Sequence, residues 1–165
     1  MKRVLAVLIV LAGFTAVAAA QDLAGTATPI NADHFSIQDI QIALYGIDAP
    51  EPDQGGCFAG RRSFGCYDNA LRQLQILTST GPLECMDTGE TDVLGTPYMI
   101  CTAGVEDVGE AMVLAGVAFA FRQQTDKYVE AEEAAKAGRM GLWQPGLRYD
   151  MPWDWRVMMG RAIGP

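Results

Sequence analysis

Residues 42–51 read Ile42-Ala43-Leu44-Tyr45-Gly46-Ile47-Asp48-Ala49-Pro50-Glu51. The stretch up to Ile47 is mostly apolar, as in a strand buried in a core, and it delivers Asp48 to the strand's end. Pro50 then fixes the turn that presents Glu51 nearby. Upstream, Phe35 and Ile37, then Ile40, Ile42 and Leu44, alternate with polar residues; with Ala43 and Ile47 they predict two short strands around a turn near Gln38-Asp39. Asp33 stands just before the first of these strands. Two strands joined by a tight turn bring Asp33 and Asp48 together. Paired carboxylates repel unless a cation or proton separates them, so a hard divalent ion such as Ca²⁺ is the natural occupant. On spacing alone, turn-forming aspartates give the same pattern.

Outward from this stretch, a Pro/Gly/Asp loop covers residues 49–65, and Ala70, Leu71, Leu74 and Leu77 recur at helical spacing over residues 68–79. Two strand-like runs, 83–86 and 98–102, flank a turn containing Gly89 and Gly95. Val108, Met112 and Ala115 mark a second helix closed by Gly116, and residues 117–121 form an apolar extended run. A third helix is predicted over residues 126–140, capped by Thr125 or Asp126 and ended by Gly141. Its acidic cluster Glu130, Glu132, Glu133 reads as a solvated face, and Trp143, Trp153 and Trp155 read as packing aromatics. This order of elements predicts one α+β domain without repeats or a long linker.

The four cysteines allow three pairings. Cys57 and Cys66 close a short Gly-rich loop, while Cys85 and Cys101 lie on the two strand-like runs, symmetric about their turn, which favours Cys57–Cys66 with Cys85–Cys101. A zinc site is the rival reading, disfavoured because there is no C-x₂-C and His34 is the single histidine. Lys2-Arg3, the apolar run 4–20 and Ala18-Ala19-Ala20 have the form of a secretory signal peptide. The expected organisation is therefore a leader at 1–20 and one domain at 21–165, exported to the periplasm or beyond, with no membrane association after cleavage. Disulfides fit such an oxidising compartment. The whole chain carries a net charge of −8, and loss of Lys2 and Arg3 leaves ten basic against twenty acidic residues. That balance opposes electrostatic capture of a phosphate backbone.

The segment Leu44-Tyr45-Gly46-Ile47-Asp48-Ala49-Pro50-Glu51 resembles the core motif of the staphylococcal nuclease (thermonuclease) family. The likeness extends to Asp33, the helix ending near Leu77, the strand pair around Cys85 and Cys101, Glu110-Ala111 to Ala118, Tyr128 to Trp143, and Pro152-Trp153-Asp154-Trp155-Arg156, which is similar to the tail of secreted proteobacterial members. The resemblance implies a five-stranded OB-type barrel with three helices. It also implies hydrolysis of DNA and RNA phosphodiesters with one Ca²⁺. On it, Asp33 and Asp48 match the metal-binding aspartates, Ala49 offers its backbone carbonyl to the ion, and Glu51 matches the glutamate that works on the attacking water.

The family's two phosphate-clamping arginines have no counterpart. Ala43 stands at one position and Thr96, in Leu94-Gly95-Thr96, at the other; the family's Asp-Gly-Asp-Thr is here Asn31-Ala32-Asp33-His34. Losing one preorganised donor costs about 10²–10³ in rate. The expectation is a degenerate member with weak or absent hydrolysis, acting as a module that binds a protein or small-molecule ligand. The alternative is an active Ca²⁺-dependent nuclease, with nucleic acid as its partner and Arg61, Arg62 or Arg122 as a substitute clamp. His34 is read as a surface residue, with a base or a neighbour of the metal as its functional alternatives.

Overall fold

A computed structural model describes residues 22–55, 57–161 and Gly164; the expected leader lies outside them. Strands β1 (Leu23–Gly25) and β2 (Ala27–Pro29) lead into the hairpin β3 (His34–Ile37) and β4 (Ile40–Leu44). The hairpin turns at Gln38 and Asp39, with φ of 51° and 64°, the pair of left-handed residues that a two-residue turn between twisted strands requires; Asp is among the types that accept it, and Gln38 Nε2 donates to Ala24 C=O at 2.9 Å. Phe35, Ile37, Ile42 and Leu44 are buried, as the alternation requires. β5 (Ile47–Asp48) follows, then a small exposed hairpin of β6 (Phe58–Ala59) and β7 (Arg62–Ser63), and helix α1 (Cys66–Ser79), which buries Ala70, Leu74 and Leu77.

The cysteine-bearing strands are longer than their apolar cores suggest: β8 spans Leu83–Thr91 and β9 spans Pro97–Ala103. Cys85 and Cys101 face each other in register and are bonded, as are Cys57 and Cys66. Strand β10 (Glu106–Asp107) precedes α2 (Val108–Leu114), whose N-terminus is capped by the Asp107 carboxylate accepting from Glu110 N–H. Then come β11 (Phe119–Ala120), α3 (Val129–Ala137), β12 (Leu147–Arg148) and α4 (Pro152–Met158).

The main sheet runs β1-β8-β9-β4-β3-β2, with β10 on β9; β4 and β9 pair in parallel, and its other described pairs are antiparallel. It is a mixed sheet curled around one core in the OB manner, without closing into the expected barrel among the described residues. Four α-helices are described where three were expected. The fourth lies in the tail, where Pro152 at its first turn presets helical φ.

Helix α3 is shorter than the sequence predicts. Thr125 Oγ accepts from Lys127 N–H in a local turn, so the helix proper starts after Tyr128. At its other end Arg139 takes φ 53°, which breaks the helix before Gly141. The acidic face is also not uniformly solvated. Glu132 is buried: its carboxylate accepts from Ala120 N–H and pairs with Arg122 and Lys136. A side chain that satisfies a strand N–H from a helix must point inward, and the two cations compensate its burial. Trp143 and Trp153 pack against Phe119, as expected of tail aromatics.

Candidate functional site

The β3–β4 hairpin does bring the two aspartates together. Asp33 C=O accepts from Leu44 N–H at 2.9 Å, which fixes its backbone beside the end of β4. Its carboxylate Oδ2 accepts from Ala49 N–H at 3.0 Å. Asp33 and Asp48 are both buried. Glu51 follows on the turn after Pro50, part-exposed, its N–H donating to Gln54 Oε1 at 3.0 Å. Asp33, His34 and Glu51 share one open cleft of about 360 Å³ with Arg156, Arg161 and the β8–β9 hairpin tip.

Every one of these carboxylates already has a partner. His34 Nδ1 lies 2.7 Å from Asp33 Oδ1. Arg156, from α4, donates through Nη1 and Nη2 to the two oxygens of Asp48 at 2.9 and 2.5 Å, and through Nη1 to Glu51 Oε1 at 2.7 Å. The guanidinium fork suits this bidentate contact, and it is itself buried. Both Asp48 oxygens act as acceptors, so the pair is charged. Burial pushes the Asp48 carboxyl up, against the hydrogen bonds and charge of Arg156. Burial works to lower Arg156, and the two carboxylates outweigh it and push it up.

At the neighbouring pair, burial would raise Asp33, but the charge and hydrogen bond of His34, with Ala49 N–H, hold it below the usual carboxylate range. Burial would lower His34, yet Asp33 beside it, with Asp92 and Glu51, holds it above the usual imidazole value. His34 is therefore a charge partner within the cleft and not the plain surface histidine of the sequence reading.

The substitute cations that sequence suggested lie elsewhere. Arg61 and Arg62 are exposed at the β6–β7 turn, away from the cleft lining. Arg122 is paired with Glu132 and Glu133 beside α3. Ala43 is buried in β4, opposite His34 on one side and Tyr98 on the other. Thr96 closes the β8–β9 turn, its N–H donating to Asp92 Oδ1 at 2.7 Å. The residue sequence reasoning missed is Arg156. Its signal was present in Trp155-Arg156, the one arginine of the tail motif, but no spacing rule links it to Asp48, which lies 108 residues earlier.

The family model described as staphylococcal nuclease homologue matches residues 41–145. The chain belongs to this family. No curated protein matches it significantly. Asp33 lies just before the matched segment and Arg156 beyond it, so the fold and the Asp48–Glu51 motif carry the match while the cation on that motif comes from outside it. The nuclease family implies calcium at this place, and the residues as arranged do not fit it. Calcium needs six to eight oxygen ligands. Here both Asp48 oxygens and one of Glu51 are taken by a guanidinium, and both Asp33 oxygens by His34 and Ala49 N–H. Among the described residues no group of three or more His, Cys, Asp or Glu side chains is placed to hold a metal.

Proposed function

We propose that this chain is an exported member of the nuclease family that has lost phosphodiester hydrolysis and works as a binding module. The observation that carries this reading is the Arg156 guanidinium on Asp48 and Glu51, where a hydrolase needs carboxylates free for a metal and a water. Ala43 and Thr96 support it, since neither side chain carries the positive charge that an arginine clamp sets against a phosphate. The acidic balance of the chain supports it as well, because a polyanion is repelled from such a surface. Val93 and Leu94, 78% and 89% exposed at the cleft's lip, offer an apolar contact to a protein or small-molecule ligand.

The alternative, a calcium-dependent nuclease on DNA and RNA, draws its support from the gathering of Asp33, Asp48 and Glu51 in one place. The disulfide-intact chain is to be incubated with single-stranded DNA and RNA, with and without millimolar Ca²⁺, beside Glu51→Gln. The degenerate reading expects no Ca²⁺-dependent cleavage from either protein. Ca²⁺-dependent cleavage that Glu51→Gln abolishes would overturn it.

A further inference from the structure

Arg61 and Arg62 stand on an arm of the fold. Every residue from 58 to 63, the whole β6–β7 hairpin with its turn, is exposed. A two-stranded hairpin of this length has little stability of its own in water. It is held at its root, where Cys57 and Cys66 are bonded and both buried in a cluster with Phe119 and Leu142, and along one side by β12. Its other side is an open edge, because β7 pairs with β6 alone among the described strands.

Pairing fixes which side chains share a face. Phe58 lies opposite Arg148 of β12 and Ser63 of β7, while Ala59 lies opposite Leu147 and Arg62. Directly paired residues project to the same side of a sheet. Phe58 and Arg148 are therefore neighbours on one face, and Arg62 stands on the other. Arg61 is in the turn, which the Arg148 guanidinium also reaches, its Nη2 donating to Gly60 C=O at 3.5 Å. Phe58 beside it is 40% exposed.

Elsewhere on the domain Arg122, Lys127, Lys136, Arg156 and Arg161 each sit on a carboxylate. Arg61, Arg62 and Arg148 form no ion pair among the described residues. Guanidinium groups gathered round one turn without a carboxylate repel one another, and so exposed an arm buries nothing for the core in return. A partner's anion removes that repulsion, and the guanidinium fork takes a carboxylate by two parallel hydrogen bonds. The chain's acid surplus selects among anions. A nucleic acid or an anionic membrane extends past the arm and meets that surplus. A short acidic segment engages the arm alone, since charges beyond about 8 Å are largely screened at physiological ionic strength.

We propose that the β6–β7 hairpin is a docking arm for a short acidic segment of a partner protein, whose carboxylates pair with Arg148 and Arg61 while an apolar side chain packs on Phe58. The disulfide at the root pre-forms the arm and so lowers the ordering cost of docking. The carboxylate cleft takes no part, and the inference stands whichever way the nuclease assay falls.

The probe is the peptide acetyl-Glu-Leu-Asp-Glu-Leu-Asp-amide, titrated into the disulfide-intact chain and followed by NMR of backbone amides and arginine Nε–H groups. Saturable shifts are expected at residues 57–63 and 147–148 and not at His34, and binding is expected to weaken as salt is raised. Arg148→Gln and Arg61→Gln are each expected to weaken it about tenfold. Arg62→Gln, on the opposite face, is expected to change it less than about twofold. All three side chains are exposed, so each variant is expected to melt with the parent. The same peptide with Lys at every acidic position is expected not to bind.

The absence of saturable shifts at millimolar peptide would overturn the proposal, as would equal binding by the parent, Arg148→Gln and Arg61→Gln. Tighter binding of a thymidine dodecanucleotide or of phosphatidylglycerol vesicles through the same arginines would also overturn it, because the arm would then be a phosphate-binding surface.

Discussion

Arg156 and Asp48 meet across 108 residues of chain in a two-point contact, with Nη1 to Oδ1 at 2.9 Å and Nη2 to Oδ2 at 2.5 Å. Asp48 is completely buried on β5, in register with Phe119 of β11. A carboxylate in that position has no access to water, so its charge depends on the guanidinium. The pair also ties the last helix to the centre of the fold. The consequence for stability is asymmetric: removing one partner strands the other, while removing both leaves only a packing problem.

Arg156→Ala is accordingly expected to cost about 3–5 kcal/mol in chemical denaturation, with the Asp48→Asn/Arg156→Met double variant recovering much of it. A loss below about 1 kcal/mol for Arg156→Ala would show that the contact carries no structural weight.

Much of the fold was legible because its determinants are local. Alternation fixed β3 and β4, the Gln38-Asp39 turn joined them, and the symmetric cysteines marked β8 and β9 as partners. The meeting of Asp33 with the Asp48 loop followed from the same hairpin. What escaped the sequence depends on long-range charge pairing, for which no periodicity exists. Glu132 looks like any helix-surface acid until Ala120 N–H needs an acceptor, and Arg156 looks like a tail arginine until Asp48 needs a counter-charge. The fourth helix is equally quiet, because seven residues with a proline at the start carry too little periodicity to declare themselves.

The His34–Asp33 pair predicts a pH dependence with a definite sign. The folded His34 is held above its ordinary value of 6.5, so its contribution is complete below that value and is lost as pH rises through the raised folded value. The folded Asp33 is held below 3.8, so its contribution is present above 3.8 and is lost as pH falls through the lowered folded value. As the single histidine, His34 gives one imidazole titration by NMR. Its midpoint is expected above 6.5, and the stability advantage over His34→Gln is expected to shrink on the alkaline side. A midpoint at or below 6.5 would contradict the pairing.

Gly46, inside the motif, has a steric reason to be glycine. Its φ is +77°, and a Cβ there would lie 2.5 Å from Thr125 Cγ2 and 3.0 Å from the Tyr128 ring. Its N–H also donates to Gln124 Oε1 at 2.8 Å, so the backbone has little room to shift. Gly46→Ala is expected to lose about 2 kcal/mol or more, from left-handed strain and overpacking together. Equal melting of variant and parent would remove that reason.

The most direct test of the central claim is a crystal structure of the full chain grown in saturating Ca²⁺, with anomalous data to locate the ion. The account predicts the Arg156 guanidinium bonded to both Asp48 oxygens and to Glu51, with no anomalous peak between Asp33 and Asp48. A calcium ion seated on those aspartates, with Arg156 turned away, would contradict it.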